Sequence, residues 1–570
     1  MLASPLNSNF TIWRQEVVNS ETLDWPSLLA FVEKLPYRTI SALLLSGGAL
    51  SCVAVSFAAA DTRELRGRTA PASLPADAPV TSRTSKAVLL GVTVFGAQAV
   101  PGERIANTYT DKLAKPVDLK DLTEIADRIT ELYRKEGYFL SQAVAGPQDL
   151  SSGIGRVTVY EGRISNVLVE GERADMIRPM VADLAGPSPA RLSDIDERLA
   201  RIRELPGLKV TSQVRPDPND PGKHELVLVT RFDTDRVFAG LNNWGWENSG
   251  PVQAYATYVR NSLLHSRDYA TFNLFTTPGD PKEFTQLGAG YNYNFLSGAR
   301  LRAGLTVSLS GRGYGPGDED PGGESVGFWA RYERPLTLRR SQSAWFMAGL
   351  DVQHKENDWI TGGGYRDELR VLRLGLRGHQ SGNGRNTQYD VNLSKGFDVL
   401  GASGQSAWNR SRYDADAEFL KLTASLSHYR DLGRYFGIYT DVSGQWTDEP
   451  LLLSEEFAVG GSDLGRAYRY GELSGDRGLG GMVELRAGYA PDSDVISFLQ
   501  GYTFYDVAAV WNTKPSGWET QDLSSAGIGV RVSLFDAVTA RLEMARPLTR
   551  TPYDEDERDW RQFFQLSVSY

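Results

Sequence analysis

Cysteine is nearly missing from this 570-residue chain: Cys52 is the only one. That excludes a disulfide framework and any C-x-x-C zinc site. Five histidines lie far apart with no H-E-x-x-H pair, so no metal-ligating cluster is spelled out. A G-x-x-x-x-G-K-[ST] loop is also missing, which leaves nothing to hydrolyse ATP. There is no excess of basic charge, since 61 Lys and Arg face 71 Asp and Glu, and this argues against a nucleic-acid surface that tracks phosphates. Tryptophan is missing between Trp25 and Trp244, and ten of the twelve lie from Trp244 onward. This composition shift marks a boundary near residue 235. Long apolar runs are missing too, apart from one near the N-terminus. Beyond it no run reaches the ~18 residues that a membrane helix needs. If the mature chain crosses a membrane, it must do so as a closed β-barrel, where every backbone group finds a partner.

The exception is the run Ile40–Ala59, which follows Lys34 and Arg38 and ends in small residues. It reads as a secretory signal, with residues 1–60 forming the leader and cleavage near Ala60. A retained membrane anchor is the alternative, but the core is diluted by Ala, Ser and Gly. Cys52 is a poor lipidation site because Ala49 stands where leucine is usual. Its removal leaves a cysteine-free mature chain, compatible with an oxidising envelope compartment. Residues 61–86, rich in Pro, Ala, Ser and Thr, read as a flexible linker.

Two similar units follow, over residues 87–164 and 165–234. In the first, "AVLLGVTVFG" is strand-like and a short helix falls near Glu103–Tyr109. A longer helix follows Asp118, with Leu122, Ile125, Ile129, Leu132 and Tyr133 on one face. Asp118 can cap it, and Gly137 ends it. Strands near Phe139–Val144 and at 156–162 close the unit. The second unit repeats the order: a strand at 165–171, helices near Met176–Leu184 and after Ser193, then strands at 208–216 and 224–233. Strand–helix–helix–strand–strand, twice, is an internal repeat of α+β layers.

From about residue 235 the helical period disappears. In "VELRAGY", Val483, Leu485 and Tyr489 oppose Glu484 and Arg486; in "TARLEMA", Leu542 and Met544 oppose Arg541 and Glu543. "VLRLGLRG", "AGIGVRVSLF" and the terminal "FQLSVSY" alternate in the same way. A soluble sandwich gives such alternation in a single strand. Export, charge on the polar face of many strands and aromatic residues at strand ends together point to a membrane barrel with a water-filled lumen. The 336 residues from 235 to 570, at roughly 20 per strand and connection, predict about 16 strands.

Residues 137–164, "GYFLSQAVAGPQDLSSGIGRVTVYEGRI", resemble the end of the first POTRA domain in two-partner secretion transporters, the TpsB-type exporters of haemolysins and filamentous haemagglutinins. "LNNWGWENSGPVQ" (241–253) is similar to that family's first barrel strand. The resemblance implies two periplasmic α+β POTRA domains followed by a transmembrane antiparallel β-barrel of about 16 strands in the bacterial outer membrane. It also implies a loop six, here near 457–480, whose V-R-G-[FY] tip folds into the barrel. "FAVGGSDLGRAYRYGE" aligns Arg466 and Tyr468 with that tip, just after Gly460 and Gly461. "FYDVA" aligns Phe504 and Asp506 with the F-x-D-x-G motif of the inner wall. The implied contact is Arg466 with Asp506. Ala467 and Ala508 stand where the family has glycine. Read without the family, Arg466 is one solvated loop arginine among several, with Asp463 as a local partner. The family often has a plug helix before the first POTRA domain; here only Asp61–Arg68 has room for one.

The function implied is a non-enzymatic pore that secretes an unfolded exoprotein, a TpsA-type adhesin or cytolysin, without nucleotide or other cofactor, without metal and without nucleic acid. Its other partners are outer-membrane lipid and the barrel-assembly machinery. In such POTRA units the strand before the last lies at the sheet edge. In the second unit this is Lys209, Val210, Thr211, Ser212, Gln213, Val214 and Arg215, a candidate edge for an extended client strand. A barrel insertase of the same superfamily and a diffusion porin are the alternatives. A soluble enzyme finds no constellation of catalytic residues to rest on.

Overall fold

The computed structural model describes residues 86–245, 250–311, 322–358, 363–513 and 520–570. The leader, the possible plug helix and all of the linker except Lys86 lie outside these residues. Compact units meet between Asp233 and Thr234, and each is described by itself.

The N-terminal unit holds two modules. The first runs β1 (Ala87–Val88), β2 (Gly91–Phe95), α1 (Gly102–Ala106), β3 (Pro116–Val117), α2 (Leu119–Lys135), β4 (Gln142–Val144) and β5 (Ile154–Tyr160). Its sheet order is β2–β5–β4, with β2 parallel to β5, and β1 pairs with β3 in a separate ribbon. "AVLLGVTVFG" is therefore broken at Leu89, whose N–H turns to Lys115 O at 2.9 Å. Helix α2 begins with a reciprocal capping box: Asp121 N–H donates to Asp118 at 3.0 Å, and Asp118 N–H donates to Asp121 at 3.1 Å. Leu122, Ile125, Ile129 and Tyr133 from α2 are buried with Val157 and Val159 of β5. The strand expected over 139–144 shrinks to three residues because Ser141 N–H turns back to Tyr138 O at 3.2 Å.

The second module runs β6 (Arg163–Gly171), α3 (Ala174–Val181), α4 (Leu192–Arg203), β7 (Leu208–Asp217) and β8 (Asp220–Phe232). Its sheet order is β6–β8–β7, and Ile177, Ile195, Leu199 and Ile202 of its helices cover Leu226 and Leu228. Helix α4 starts at Leu192, ahead of the start expected after Ser193, and Leu192 N–H donates to Gly137 O of the first module at 3.0 Å. Arg191 also donates to the Tyr138 hydroxyl, at 2.7 Å from Nη2.

The "EG" of the first module owes its glutamate to three donors. Glu161 Oε1 accepts from Gln98 N and Ala99 N at 2.6 Å each, and from the buried Tyr133 hydroxyl at 2.7 Å. Desolvation, then this hydrogen bond, raises the Tyr133 pKa. Glu161→Ala orphans all three donors and is expected to cost the module about 2–4 kcal/mol. Limited proteolysis of the full chain checks this: cleavage within 87–164 should begin at lower temperature, and unchanged protection would contradict it.

In the C-terminal unit sixteen strands close into one antiparallel barrel, from Asp235–Asn242 to Arg561–Ser569. Strands run from 8 to 19 residues. An even strand number brings both barrel ends to the same side. The expected alternation sets the two faces. Leu485, Leu542, Met544 and Ile528 are exposed on the outside, as on a lipid-facing surface, and Glu484, Arg541 and Glu543 are buried inside. Exposed aromatics, Phe295, Tyr435, Tyr489, Phe535 and Tyr570, gather by the short turns on the end that carries the termini, as in an interfacial girdle.

Candidate functional site

Loop six leaves the barrel after strand Phe436–Thr447 and returns at strand Arg477–Tyr489. It folds as a hairpin, Phe457–Val459 pairing with Leu473–Gly475. The tip between them needs glycine. Gly460 and Gly461 have φ of +107° and +97°, and a Cβ on Gly460 would lie 2.1 Å from Arg469 O. Gly460 N–H donates to Leu464 O at 2.9 Å and Gly461 N–H to Tyr468 O at 3.0 Å, so the tip closes on itself.

This closure presents Arg466 to the wall with none of its surface exposed. Nε and Nη2 grip both oxygens of Asp506 at 3.2 and 3.0 Å, and the Arg466 backbone N–H adds a third bond at 3.0 Å. Such a fork is the geometry that guanidinium and carboxylate favour. The guanidinium also lies 3.5 Å from the centre of the Phe504 ring. Asp506, Phe504 and Ala508 face inward, and their neighbours Tyr505 and Val507 face out. The expected contact is therefore present, and the reading of Arg466 as a solvated arginine is wrong. The Asp463 carboxylate instead accepts a hydrogen bond from Ser462 at 3.2 Å.

Tyr468 is fully buried and its hydroxyl donates to Ser524 O or Arg550 O, at 3.1 and 3.2 Å. Arg469 pairs with Asp554 at 2.6 Å. Ala467, in the glycine position of the motif, is buried and its carbonyl accepts from Arg561 at 3.0 Å. Beside Ala508, which stands at the glycine position of the second motif, a close approach is made one strand away. Gly480, the register partner of Ala508, lies so near Leu464 that a Cβ would sit 2.2 Å from that side chain.

More residues join the site than the two motifs named. Arg466 Nη1 bonds Glu484 at 2.6 Å and reaches Glu543 at 3.4 Å. Glu484 also pairs with Arg486 at 2.6 Å and Arg531 at 2.8 Å, and Glu543 with Arg541 at 2.5 Å and the Tyr502 hydroxyl at 2.8 Å. The alternation of "VELRAGY" and "TARLEMA" had put these charges on the inner face, facing water. They face inward, but beneath loop six, where they pair with one another.

The first-strand motif latches the barrel seam. The first and last strands pair in register at Phe238–Asn242 with Gln565–Ser569, and Val237 and Tyr570 exchange backbone hydrogen bonds at 2.8 and 2.9 Å beyond them. Asn243 extends the seam with its side chain, which donates to Gln562 O at 3.1 Å and accepts from Phe564 N–H at 2.5 Å. Trp244 stacks on Phe563 with ring centres 5.4 Å apart. Residues 246–249 of this motif lie outside the described residues.

In the N-terminal unit, β7 lies at the sheet edge, paired only with β8. Asp233 N–H donates to Gly207 O at 2.7 Å, which fixes the parity of the ladder. Lys209, Thr211, Gln213 and Arg215 direct their backbone groups to β8, and Val210, Ser212 and Val214 direct theirs to the open side. Pro216, with no N–H, ends the edge. Lys209 is held to Asp233 at 2.8 Å. Among the described residues no cluster able to hold a metal ion is found.

Residues 88–162 match the model of the POTRA domain, ShlB-type, and residues 321–532 match that of the haemolysin secretion/activation protein ShlB/FhaC/HecB. The chain belongs to this transporter family. It is a two-partner secretion pore of the outer membrane, with its POTRA region in the periplasm. The transporter is 23% identical to the outer membrane transporter CdiB of Dickeya dadantii over 73% of its own length and 75% of the relative's. It is 20% identical to the heme/hemopexin transporter protein HuxB of Haemophilus influenzae over 81% and 84%. Its fold is similar to that of CdiB from Escherichia coli, with a TM-score of 0.66 and 17% identity over 88% of this chain and 94% of that one.

Proposed function

We propose that residues 87–164 and 165–234 are two POTRA domains that receive an unfolded exoprotein and deliver it to the barrel, residues 235–570. The client adds as an extended strand to the open side of β7, where Val210, Ser212 and Val214 offer backbone groups and sequence demand is small. Loop six, fastened by Arg466 to Asp506, braces the lumen and moves aside for the client. No nucleotide drives the passage; folding of the client outside the cell biases its direction. The client is a TpsA-type adhesin or cytolysin, the barrel-assembly machinery inserts the barrel into outer-membrane lipid, and no catalytic step or nucleic acid is involved.

The observation that carries this reading is the fully buried Arg466–Asp506 fork, which holds a hairpin across a lumen that a diffusion porin would keep open. The test is expression beside candidate exoproteins encoded next to the gene, with conductance of the purified barrel measured in parallel. The exporter reading predicts client in the medium that depends on this chain. Steady conductance with no client released would favour a porin, and loss of other barrels from the membrane on deletion would favour an insertase.

A further inference from the structure

On the limb that descends before its tip, loop six carries another buried charge. Leu453–Glu455 forms a single 3-10 turn, and Glu455 is 1% exposed. Its Oε1 accepts from Arg373 Nη2 at 2.7 Å and its Oε2 from Lys421 Nζ at 2.7 Å. Its backbone carbonyl accepts from Lys421 Nζ at 2.7 Å and from Gln445 Nε2 at 2.9 Å. The bases are themselves fixed, Arg373 by Ser394 at 2.9 Å and by an ion pair with Asp351, and Lys421 by Gln445 at 3.2 Å. Arg373, Lys421 and Gln445 stand on strands Gly364–Gly382, Phe419–Asp431 and Phe436–Thr447, all before loop six in the chain. The carboxylate partners of Arg466 stand on strands that follow it.

The loop is thus fastened to two sectors of the wall by charges of opposite sign, a cation at the tip and an anion on the descending limb. Lys421 is only 3% exposed, and a buried ammonium without its carboxylate is strongly destabilised. Withdrawing the limb from the wall therefore strands Lys421 and part of Arg373, just as withdrawing the tip strands Asp506. We propose that Glu455 is a second positioning residue of loop six, and that the loop leaves the lumen only when the Glu455 and Arg466 anchors are both released. This rests on the reading of loop six as the lumenal brace.

The test reads the loop directly. Ser462, buried at the tip, is replaced by cysteine in the full-length protein, and a membrane-impermeant maleimide is added to intact cells. Single release, by Glu455→Gln or by Arg466→Ala, should raise labelling at least about tenfold. Combining the two should raise it well beyond either alone. Glu455→Ala repeats the test without the amide. Labelling in both Glu455 variants equal to the parent's would overturn the proposal. So would a failure of both to give a folded, heat-modifiable barrel, since the residue would then serve barrel stability. Secretion in the same strains separates this from the exporter reading: a parent that releases no client defeats that reading, whereas labelling reports only the loop.

Discussion

Arg466→Ala is expected to cut export of the client at least about tenfold, with a modest loss of folded barrel. The side chain bonds Asp506, Glu484 and Glu543 at once, and its removal takes the cation from Asp506, while Glu484 keeps Arg486 and Arg531 and Glu543 keeps Arg541. Breaking a buried pair by removing one partner costs about 3–5 kcal/mol. Here the loss falls on the docked loop more than on the barrel, because the strand ladder does not use the guanidinium. Asp506→Ala should act in the same direction, since it removes the acceptor of the Arg466 backbone N–H as well as the ion pair. Arg466→Lys keeps the charge and loses the fork, so its export should fall between parent and alanine variant. Client in the medium and heat-modifiable migration of the barrel are the two measurements. Parental secretion in both alanine variants would contradict the role given to the contact.

The barrel was legible because its signal repeats. Leu485 against Glu484 or Leu542 against Arg541 says little alone, but the period of two over many strands fixes an inside and an outside. The Arg466–Asp506 contact was legible only through resemblance to a family, because 40 residues, with a whole barrel strand and its turn among them, separate the pair. The rest of the site was half visible. Alternation put Glu484, Arg531 and Glu543 on the inner face, but it carries no information on what fills the lumen beside them. Water and a folded-in loop give the same pattern. Glu455 had no signal at all, since it lies in an irregular segment and its partners come from three strands. In the N-terminal unit, hydrophobic period gave α2 and α4, whereas the first N–H of α4 donates to a carbonyl of the other module, Gly137, which no local pattern contains.

Ser212→Pro is expected to reduce secretion strongly, about tenfold or more, while the barrel inserts normally. The ladder parity decides which residue to change. Thr211 and Gln213 bond to β8, so proline at either breaks the sheet and reduced export there would report only a damaged module. Ser212 turns its N–H to the open side, and proline is tolerated on an edge when the lost N–H faces away from the ladder. The substitution removes one donor from the middle of the Val210–Val214 edge, the place where an added strand would need it. Ser212→Ala keeps the backbone and should secrete as the parent does. Client in the medium, with protease protection of the N-terminal unit as the control for folding, makes the comparison. A folded Ser212→Pro variant that secretes like the parent would remove β7 from the path of the client and leave the pore function untouched.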